Sequence, residues 1–439
     1  MKRYDSYKDS GVEWIGEVPS HWKVLRLKFA YIFKTGATPS SGKKEYYGGD
    51  FKWANIGDLT SKYVDDTAKH ITKEAISSCS MTINPIGTLM YSFKLSVGTV
   101  AFCSDEMYSN EAIASFIPQK NNLDYLYYAA PVFIIHNSNR NIYNAPILNQ
   151  DLIKNAIICL CPKYEQEQIA SYLDSKCGEI DKVISTQEKR IALLQELKQS
   201  IITHAVTKGL NPDVKMKDSG IEWIGEVPEH WEVCKIKNIL IKGKNGIKIG
   251  PFGSSLTGNV GEGLPYKLYG QWNIIDRDFT AGTNTINQNV YNRLSNYKVV
   301  EGDILVSMMG TIGKCATVPK NIKDGVMDSH VVKISLNKSL FDNRYFEYFY
   351  DKDYSNIAFN EINKLKGGSI MDGLNSSIIK NLSITVPPLY EQQEIASYLD
   401  KRCAQIDASI CKAKREIELL QEYKQSLITE VVTGKRKVC

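Results

Sequence analysis

Residues that could perform catalysis occur in this chain only as fragments of familiar motifs. A GxxxxGK[ST] loop cradles phosphates with its backbone amides, and the nearest stretch, "GTIGKC" at Gly310–Cys315, is too short and ends in cysteine. "NPIG" at Asn84 and "NAPI" at Asn144 are poor matches to the NPPY type of adenine-methylation motif and fit turns better. No clear glycine-rich turn for S-adenosylmethionine is found. We therefore expect neither ATP-driven nor methyl-transfer chemistry in this chain.

Metal ligation is equally poorly supported by residue spacing. The ten cysteines form no CxxC pair, and Cys159 and Cys161 are too close together for a structural zinc site. The six histidines are scattered, and two of them, His21 and His230, belong to a repeated segment where packing is the expected role. We predict no metal site. No apolar run is long enough to cross a bilayer and the N-terminus lacks the apolar core of a signal peptide, so we expect a cytoplasmic protein without a membrane partner.

Loops with basic and small polar residues are the remaining candidates for chemistry, because phosphates attract cations and close backbone approach. The net charge of +5 neither indicates nor excludes a nucleic-acid partner. For each lysine, an ordinary solvated side chain is the alternative. Arg140 and Lys366 have equivalent positions relative to the repeat described next. The predicted DNA contacts are Lys34, Thr35, Thr38, Lys43, Lys44, Lys94, Arg140 and Asn141, followed by Lys242, Lys244, Lys248, Lys314, Lys364, Lys366 and Ser369.

Two internal repeats define the elements that must position these residues. Residues 164–207 recur at 390–433 with 25 of 44 positions identical, and "KDSGVEWIGEVPSHW" at Lys8–Trp22 recurs at Lys217–Trp231. The chain therefore consists of a domain, a helix, a second domain and a second helix. The predicted boundaries are 1–161 for the first domain, 162–210 for the first helical spacer, 211–387 for the second domain and 388–439 for the second spacer and tail.

Each repeated helix carries an apolar seam at 3.5-residue spacing, which is typical of a coiled coil. Two such seams in one chain are obvious partners for each other. Lys198 and Lys424 interrupt them at matching places. Either these lysines extend to the surface while Leu197 and Tyr423 enter the core, or they set the register as buried polar groups. A helix break near Asp174 or Gly178 is a further option. The seam residues are Leu173, Cys177, Ile180, Ile184, Gln187, Ile191, Leu194, Lys198, Ile201 and Ala205, with Leu399, Cys403, Ile406, Ile410, Ala413, Ile417, Leu420, Lys424, Leu427 and Val431 in the second copy.

The domains have the pattern of an α+β fold, with short apolar or alternating runs bounded by Gly, Asn and Asp. A mixed or antiparallel sheet is predicted in each, with aromatic helices at "LDYLYYAAPVFII" and "FDNRYFEYFYDK" packed against it. Because the termini of a domain tend to lie close together, the two helices should be antiparallel. A pseudo-two-fold, nearly circular chain follows, with similar β-rich domains separated by the helices.

Two similar but unlike domains held apart by helices suit a target with two separated, unlike parts. Bipartite DNA is one such target, since equivalent faces of the duplex recur about every 34–36 Å. A protein-only scaffold that presents two binding faces is the alternative. A stand-alone methyltransferase or nuclease is a third, although the motifs above argue against it.

The chain resembles the specificity subunit of type I restriction–modification enzymes over nearly its whole length. The resemblance rests on "DSGVEWIGEVPSHW", "DSGIEWIGEVPEHW", "LYEQQEIASYLD", "LLQELKQSIITHAVTKGL" and "LLQEYKQSLITEVVTGK". It implies two target recognition domains that each read one half of a split asymmetric DNA sequence. It implies docking of two modification subunits on the helical regions and addition of restriction subunits for cleavage. This chain would then be a non-catalytic component without a cofactor, while the methyltransferase would use S-adenosylmethionine and the restriction subunit ATP and magnesium.

Identical polar residues at the start of both helices give a candidate docking surface. We expect them on exposed positions, where packing would not explain their repetition but a repeated partner would. The predicted partner-docking residues are Glu165, Gln166 and Ser171 in the first helix and Glu391, Gln392 and Ser397 in the second.

Overall fold

A computed structural model describes residues 3–118, 121–243, 245–256, 260–365 and 374–438. Three of the predicted DNA contacts, Lys244, Lys366 and Ser369, lie outside these residues. Among the described residues, no helix combines the length and apolar character needed to cross a membrane.

The first half of the chain contains short strands, three short helices and one very long helix. The strands are β1 Tyr7–Asp9, β2 Glu17–Pro19, β3 Lys23–Arg26, β4 Phe33–Thr35, β5 Tyr47–Ala54, β6 Tyr63–Val64, β7 His70–Ile71, β8 Leu89–Ser92, β9 Val100–Cys103, β10 Tyr108–Ser109, β11 Ile113–Phe116, β12 Asn139–Arg140, β13 Pro146–Ile147 and β14 Ile157–Leu160. The helices are α1 Lys73–Ser78, α2 Leu123–Ile135, α3 Gln150–Asn155 and α4 Lys163–Lys208.

The second half repeats this organisation. Its strands are β15 Met216–Asp218, β16 Glu226–Pro228, β17 Glu232–Lys235, β18 Ile247–Ile249, β19 Val260–Gly261, β20 Tyr266–Tyr269, β21 Thr285–Ile286, β22 Lys298–Val299, β23 Ile304–Ser307, β24 Cys315–Thr317, β25 Gly325–Met327, β26 Val331–Ile334 and β27 Ser383–Val386. Its helices are α5 Gln271–Ile275, α6 Gln288–Arg293, α7 Asn343–Tyr350, α8 Ile357–Leu365, α9 Ser376–Asn381 and α10 Leu389–Val432. Short 3₁₀ turns occur at Leu27–Phe29, Lys44–Tyr46, Ile56–Asp58, Ile236–Asn238, Gly253–Ser255 and Ser295–Tyr297.

The chain divides into two compact units. Unit 1 comprises Met1–Gln187 and Arg415–Cys439, and unit 2 comprises Glu188–Lys414. Each unit therefore contains one globular domain, which we call the first or second domain, together with parts of both long helices.

The central sheets of the two domains share an order of strands. In the first domain the order is β4-β11-β8-β9-β6, and in the second it is β18-β26-β23-β24. These strands pair antiparallel except β6 with β9. A second sheet in each domain includes one parallel pair, β10 with β5 and β20 with β25. The α+β prediction with mixed sheets is confirmed.

Asparagine and aspartate caps determine where the short helices begin. The side chains of Asn122 and Asp342 accept backbone N–H groups in the first turns of the predicted aromatic helices α2 and α7. Asn149 and Asn375 do the same for α3 and α9. A cap of this type stabilises a helix by about 0.5–2 kcal/mol because it pairs an otherwise unsatisfied donor. The repeated text "LN" before α3 and α9 is thus a repeated capping site.

The long helices are continuous, so the predicted option of a break near Asp174 or Gly178 is wrong. Every seam residue is buried or half-buried. The pairing within unit 1 is antiparallel. In unit 1, Asp181 lies opposite Lys424 and Gln187 contacts Glu416 at 3.1 Å, so the sequence numbers rise along α4 as they fall along α10.

The two seam lysines form ion pairs between the helices. Lys198 Nζ lies 2.7 and 2.8 Å from the two carboxylate oxygens of Asp407 in unit 2. Lys424 Nζ lies 2.6 and 2.7 Å from those of Asp181 in unit 1. Leu197 and Tyr423 are exposed, so the expectation that these two side chains enter the core is wrong. The lysines themselves line the seam and hold a carboxylate of the opposite helix.

The end of each long helix packs on the tryptophan that closes the repeated segments Lys8–Trp22 and Lys217–Trp231. Gly209 and Gly434 follow the helices with φ of +77° and +74°, a left-handed conformation that favours glycine at a helix C-terminus. A Cβ on Gly209 would lie 3.1 Å from the ring of Trp231, and one on Gly434 would lie 3.2 Å from that of Trp22. The predicted return of the C-terminal segment to the first domain is therefore confirmed within unit 1.

Candidate functional site

A buried carboxylate at the start of α4 joins the first domain to the helix. Glu165 Oε1 lies 2.6 Å from His21 Nε2 and accepts from the Tyr164 hydroxyl at 3.0 Å. Its Oε2 accepts from Trp22 Nε1 at 3.0 Å and from the Tyr4 hydroxyl at 3.3 Å. The His21-Trp22 pair, which recurs as His230-Trp231, therefore supplies donors to a residue of the helix repeat.

The same arrangement occurs at the start of α10 in the second unit. Glu391 Oε1 lies 2.8 Å from His230 Nε2 and accepts from the Tyr390 hydroxyl at 3.0 Å, while Oε2 accepts from Trp231 Nε1 at 2.8 Å. Burial alone would raise the pKa of Glu391 and of Glu165. The hydrogen bonds donated by the neighbouring Trp, His and Tyr side chains outweigh burial, so each pKa is lowered. Both carboxylates are thus held in their charged form.

The glutamine that follows each of these glutamates forms hydrogen bonds with the backbone of its own domain. Gln166 Oε1 accepts from the Asn122 backbone N–H at 3.0 Å, and its Nε2 donates to the Cys161 carbonyl at 2.8 Å. Gln392 Oε1 accepts from the Asp342 N–H at 2.8 Å. Since Asn122 and Asp342 are the caps of α2 and α7, each glutamine fixes the position of an aromatic helix against a long helix.

A third pair of equivalent hydrogen bonds lies about two helical turns further along each long helix. The Tyr128 hydroxyl donates to Asp174 Oδ1 at 2.5 Å, and the Tyr348 hydroxyl donates to Asp400 Oδ1 at 2.7 Å. Arg344 Nε also donates to Asp400, at 2.8 Å. The carboxylate of the repeated "SYLD" text thus holds the aromatic helix of its own unit.

The prediction that the repeated glutamates and glutamines are exposed is wrong. Glu165, Gln166 and Gln392 are 2%, 1% and 0% exposed, and Glu391 is half-buried. Their repetition is explained by intramolecular anchoring, because each satisfies buried donors or acceptors of its own domain. Glu165, Gln166 and Gln392 are therefore closed to a partner that reaches the surface of their unit.

The other two predicted docking residues, Ser171 and Ser397, are exposed, and their role stays a prediction. The long helices also expose apolar side chains at equivalent positions. Leu193 of α4 and Leu419 of α10 are 65% and 48% exposed. These leucines were missed because the sequence pattern assigns apolar residues on a coiled coil to its seam.

Many of the predicted DNA contacts already have partners in their own domain. Lys34 Nζ donates to the Ile83 carbonyl at 2.6 Å, and burial lowers its pKa. Thr35 accepts from Gln150, and Lys248 donates to the Asn296 carbonyl at 3.0 Å. Two more predicted contacts form ion pairs, Lys314 with Asp353 and Lys364 with Glu222, and the second pair is separated by 3.7 Å.

Other predicted contacts remain on the surface. Arg140 ends β12 and Asn141 begins the turn to β13, and Arg140 donates to the Asn144 carbonyl across this turn at 3.1 Å. The other predicted DNA contacts with exposed side chains are Lys43, Lys44 and Lys242. Hydrogen bonding to Tyr46 raises the pKa of Lys43.

Two predicted residues of the first domain do meet. Thr38 donates to Glu111, and Lys94 Nζ lies 3.2 Å from the same carboxylate. This group stands beside a close crossing of two loops. A Cβ on Gly36 would lie 1.7 Å from the Ser109 carbonyl oxygen, so only glycine fits there.

The second domain has the same crossing with different side chains. A Cβ on Gly250 would lie 1.6 Å from the Asp328 carbonyl oxygen. Phe252, two residues beyond Gly250, is 86% exposed, and Trp272 of α5 is 74% exposed. The sequence offered one signal for this site, since lysine precedes glycine by two positions in both Lys34–Gly36 and Lys248–Gly250. We call the two places the first and second loop crossing.

Within the part of the chain that the structure describes, no three His, Cys, Asp or Glu side chains form a group able to hold a metal ion. Each domain is thus anchored to a long helix by equivalent contacts, whereas the surface loops of the two domains carry different side chains.

Comparisons with known proteins agree with this organisation. The family model described as "Type I restriction modification DNA specificity domain" matches residues 19–195 and 228–419. The putative type I restriction enzyme MjaX specificity subunit of Methanocaldococcus jannaschii is 27% identical over 97% of this chain and 96% of its own length. The type I restriction enzyme EcoBI specificity subunit of Escherichia coli is 21% identical over 80% of this chain and 75% of its own length.

Solved structures share the fold. A chain from work on complex assembly and conformational transition of the type I R-M system has a TM-score of 0.68 at 14% identity, covering 94% of this chain and 98% of that one. The HsdS subunit of Thermoanaerobacter tengcongensis has a TM-score of 0.50 at 15% identity, covering 95% and 98%. The two matched regions contain most of each domain and most of both long helices, and the chain belongs to the family of type I restriction–modification specificity subunits, the non-catalytic components that carry the DNA specificity domains.

Proposed function

We propose that each domain reads one half of a split, asymmetric DNA target and that the long helices dock two modification subunits. The observation that carries this proposal is the contrast within each unit. The anchors at Glu165 and Glu391 are equivalent, whereas the loop crossings carry different side chains. Equivalent anchoring with unlike loops is what two readers of unlike half-sites require.

The domain boundaries follow from the same contrast. We assign 1–161 and 211–387 to the target recognition domains and 162–210 and 388–439 to the helical spacers. The exposed leucines Leu193 and Leu419 and the exposed serines Ser171 and Ser397 supply equivalent surfaces for two copies of one partner. Restriction subunits would join this assembly for cleavage. S-adenosylmethionine would bind the modification subunits, and ATP and magnesium the restriction subunits, leaving this chain without a cofactor.

Methylation mapping tests the reading of DNA. The chain is expressed with its cognate modification subunit in a host without other adenine methylation, and modified adenines are located by long-read sequencing. We expect two short specified blocks separated by unspecified bases. A single continuous motif would contradict the proposal, as would methylation by the modification subunit with the same pattern when this chain is absent.

Native mass measurement tests the assembly. We expect one copy of this chain with two modification subunits. Leu193→Asp and Leu419→Asp should each remove one modification subunit, because a charge cannot be buried unpaired in an apolar contact. The matched control is Gln195→Asp, which places the same charge at an exposed position of α4 about 200° around the helix from Leu193. Full assembly of both leucine variants would contradict this docking surface.

A further inference from the structure

The loop crossings bring four loops of each domain together. In the second domain, Gly250 lies against Asp328, and a Cβ on Gly270 would lie 2.9 Å from the Asp328 carboxylate. The Met309 backbone N–H donates to Gln271 Oε1 at 2.9 Å. The loops that follow β18, β20, β23 and β25 therefore meet at one place.

The first crossing is built from the corresponding loops. The Asn110 N–H donates to the Ala54 carbonyl at 2.9 Å, and the Phe93 N–H donates to the Ala112 carbonyl at 3.0 Å. The loops after β4, β5, β8 and β10 thus converge around the contact between Gly36 and Ser109 at the end of β10. The common scaffold makes the side chains of the two crossings directly comparable.

Those side chains differ in chemical class. The first crossing carries Thr38, Lys94 and Glu111, which contact one another through the Glu111 carboxylate, and a single large apolar side chain, Leu95, which is 72% exposed beside Lys94. The second carries large apolar groups, with Phe252 86% exposed, Trp272 74% exposed and Met309 47% exposed. Three large apolar side chains held in solvent by converging loops are costly to leave uncovered, which points to an apolar ligand surface.

The apolar feature that distinguishes base pairs in the DNA major groove is the thymine methyl group. Lysine instead donates to guanine O6 and N7, while glutamate accepts from cytosine N4. We propose that the loop crossings are the base-reading sites and that Phe252, Trp272 and Met309 recognise thymine methyl groups in the half-site of the second domain. Lys94 and Glu111 then read a G·C pair in the other half-site. This inference rests on the proposed function, since it assumes that each domain reads one half-site.

Replacing thymine by uracil tests the inference, because it removes only the methyl group. Duplexes carry the bipartite motif obtained by methylation mapping, with each thymine replaced by uracil in turn. The assembled complex of the full chain with modification subunits is used, and Kd is measured at fixed salt. We expect at least one replacement in one half-site to weaken wild-type binding about fivefold or more, the lower range for a mismatched pair. Phe252→Ala with Trp272→Ala should remove that penalty, leaving the other half-site unchanged.

The control is Phe29→Ala, a phenylalanine of the first domain that is also 74% exposed. It should leave every uracil penalty unchanged. Equal penalties in the wild type and the double variant would overturn the inference, as would a motif without thymine in either half-site. Loss of modification subunits from the double variant, with unchanged base preference, would assign the apolar group to a protein partner and also overturn it. Failure of the proposed function is distinguishable, because the wild-type chain would then give no bipartite motif.

Discussion

The anchors and the loop crossings differ in how strictly the two units repeat them. At the anchors, Glu165 and Glu391 receive the same tryptophan, histidine and tyrosine donors. At the crossings, the glycine against the neighbouring loop is kept, but its surroundings change from Thr38 and Lys94 to Phe252 and Trp272. Constraint from packing acts on the anchors in both units alike, whereas the loops beyond the glycines are free to differ with the ligand.

The strongest test of this comparison removes the buried anchor tryptophans. Trp22→Ala and Trp231→Ala should each lower the free energy of unfolding of their own unit by about 3–5 kcal/mol, because each leaves a large cavity. Hydrogen exchange followed by mass spectrometry would assign the loss to a unit. Trp272→Ala, which changes an exposed tryptophan, should cost less than about 0.5 kcal/mol. Clearly unequal costs at Trp22 and Trp231 would break the equivalence of the anchors.

The anchor carboxylates come next in expected effect. Glu165→Gln should cost about 1.5–3 kcal/mol, because it weakens hydrogen bonds to a buried charge. Glu391→Gln should cost less, since 20% of the Glu391 side chain is exposed against 3% for Glu165. Urea unfolding at neutral pH measures both. Equal losses of unfolding free energy would show that the two carboxylates are equally shielded from water in solution.

The same carboxylates predict a pH dependence. Their folded-state pKa values lie below the ordinary value of 4.5, so the unfolded chain binds protons more readily than the folded one. Their contribution to stability is therefore complete above pH 4.5 and is lost as the pH falls through the lowered pKa. The fall in unfolding free energy below pH 4.5 should be shallower in the double glutamine variant. An unchanged slope would contradict the assignment.

A smaller effect is expected at the ion pairs between the helices. Double-mutant cycles on Lys198 with Asp407, and on Lys424 with Asp181, should each give a coupling of about 0.2–1 kcal/mol, because these pairs are partly solvated. Added salt should reduce both couplings. A coupling confined to one pair would show that the two helix repeats have diverged in this contact.

The smallest effect on stability is expected at the surface of the first domain. Arg140→Ala should change the unfolding free energy by less than about 0.5 kcal/mol. It should reduce the slope of log Kd against log salt by about 1 if Arg140 neutralises one phosphate. Lys189→Ala, on the outer face of α4, is the control and should leave the slope unchanged. An unaltered slope in Arg140→Ala would remove this turn from the predicted interface.

The sequence predicted the features that depend on repeated patterns. The 3.5-residue seam predicted both long helices, and the repeat of Lys8–Trp22 at Lys217–Trp231 predicted equivalent elements in the two domains. Those patterns succeed because helix periodicity and capping are local properties of the chain. The antiparallel pairing followed from a general rule about domain termini.

Burial of single polar residues could not be predicted in the same way. Glu165 and Gln166 have the sequence pattern of a helix surface, yet Trp22 and Asn122 cover them from distant parts of the chain. Apolar residues gave the opposite error at Leu197, which is exposed although one step from the seam. The loop crossings depend on contacts between residues far apart in sequence, such as Gly36 with Ser109, and no local pattern encodes such contacts.

The division of the chain into units has a consequence for its synthesis. Unit 2 is one continuous stretch, Glu188–Lys414, whereas unit 1 needs both Met1–Gln187 and Arg415–Cys439. Leu427, Val431 and Val432 share a core with Trp22 and are translated only after the whole of unit 2. Since domains fold as their residues emerge, the domain that is made first is completed last. Until then the end of α10 does not cover the apolar surface of the first domain. The newly made chain must therefore be protected from aggregation while the second domain is translated.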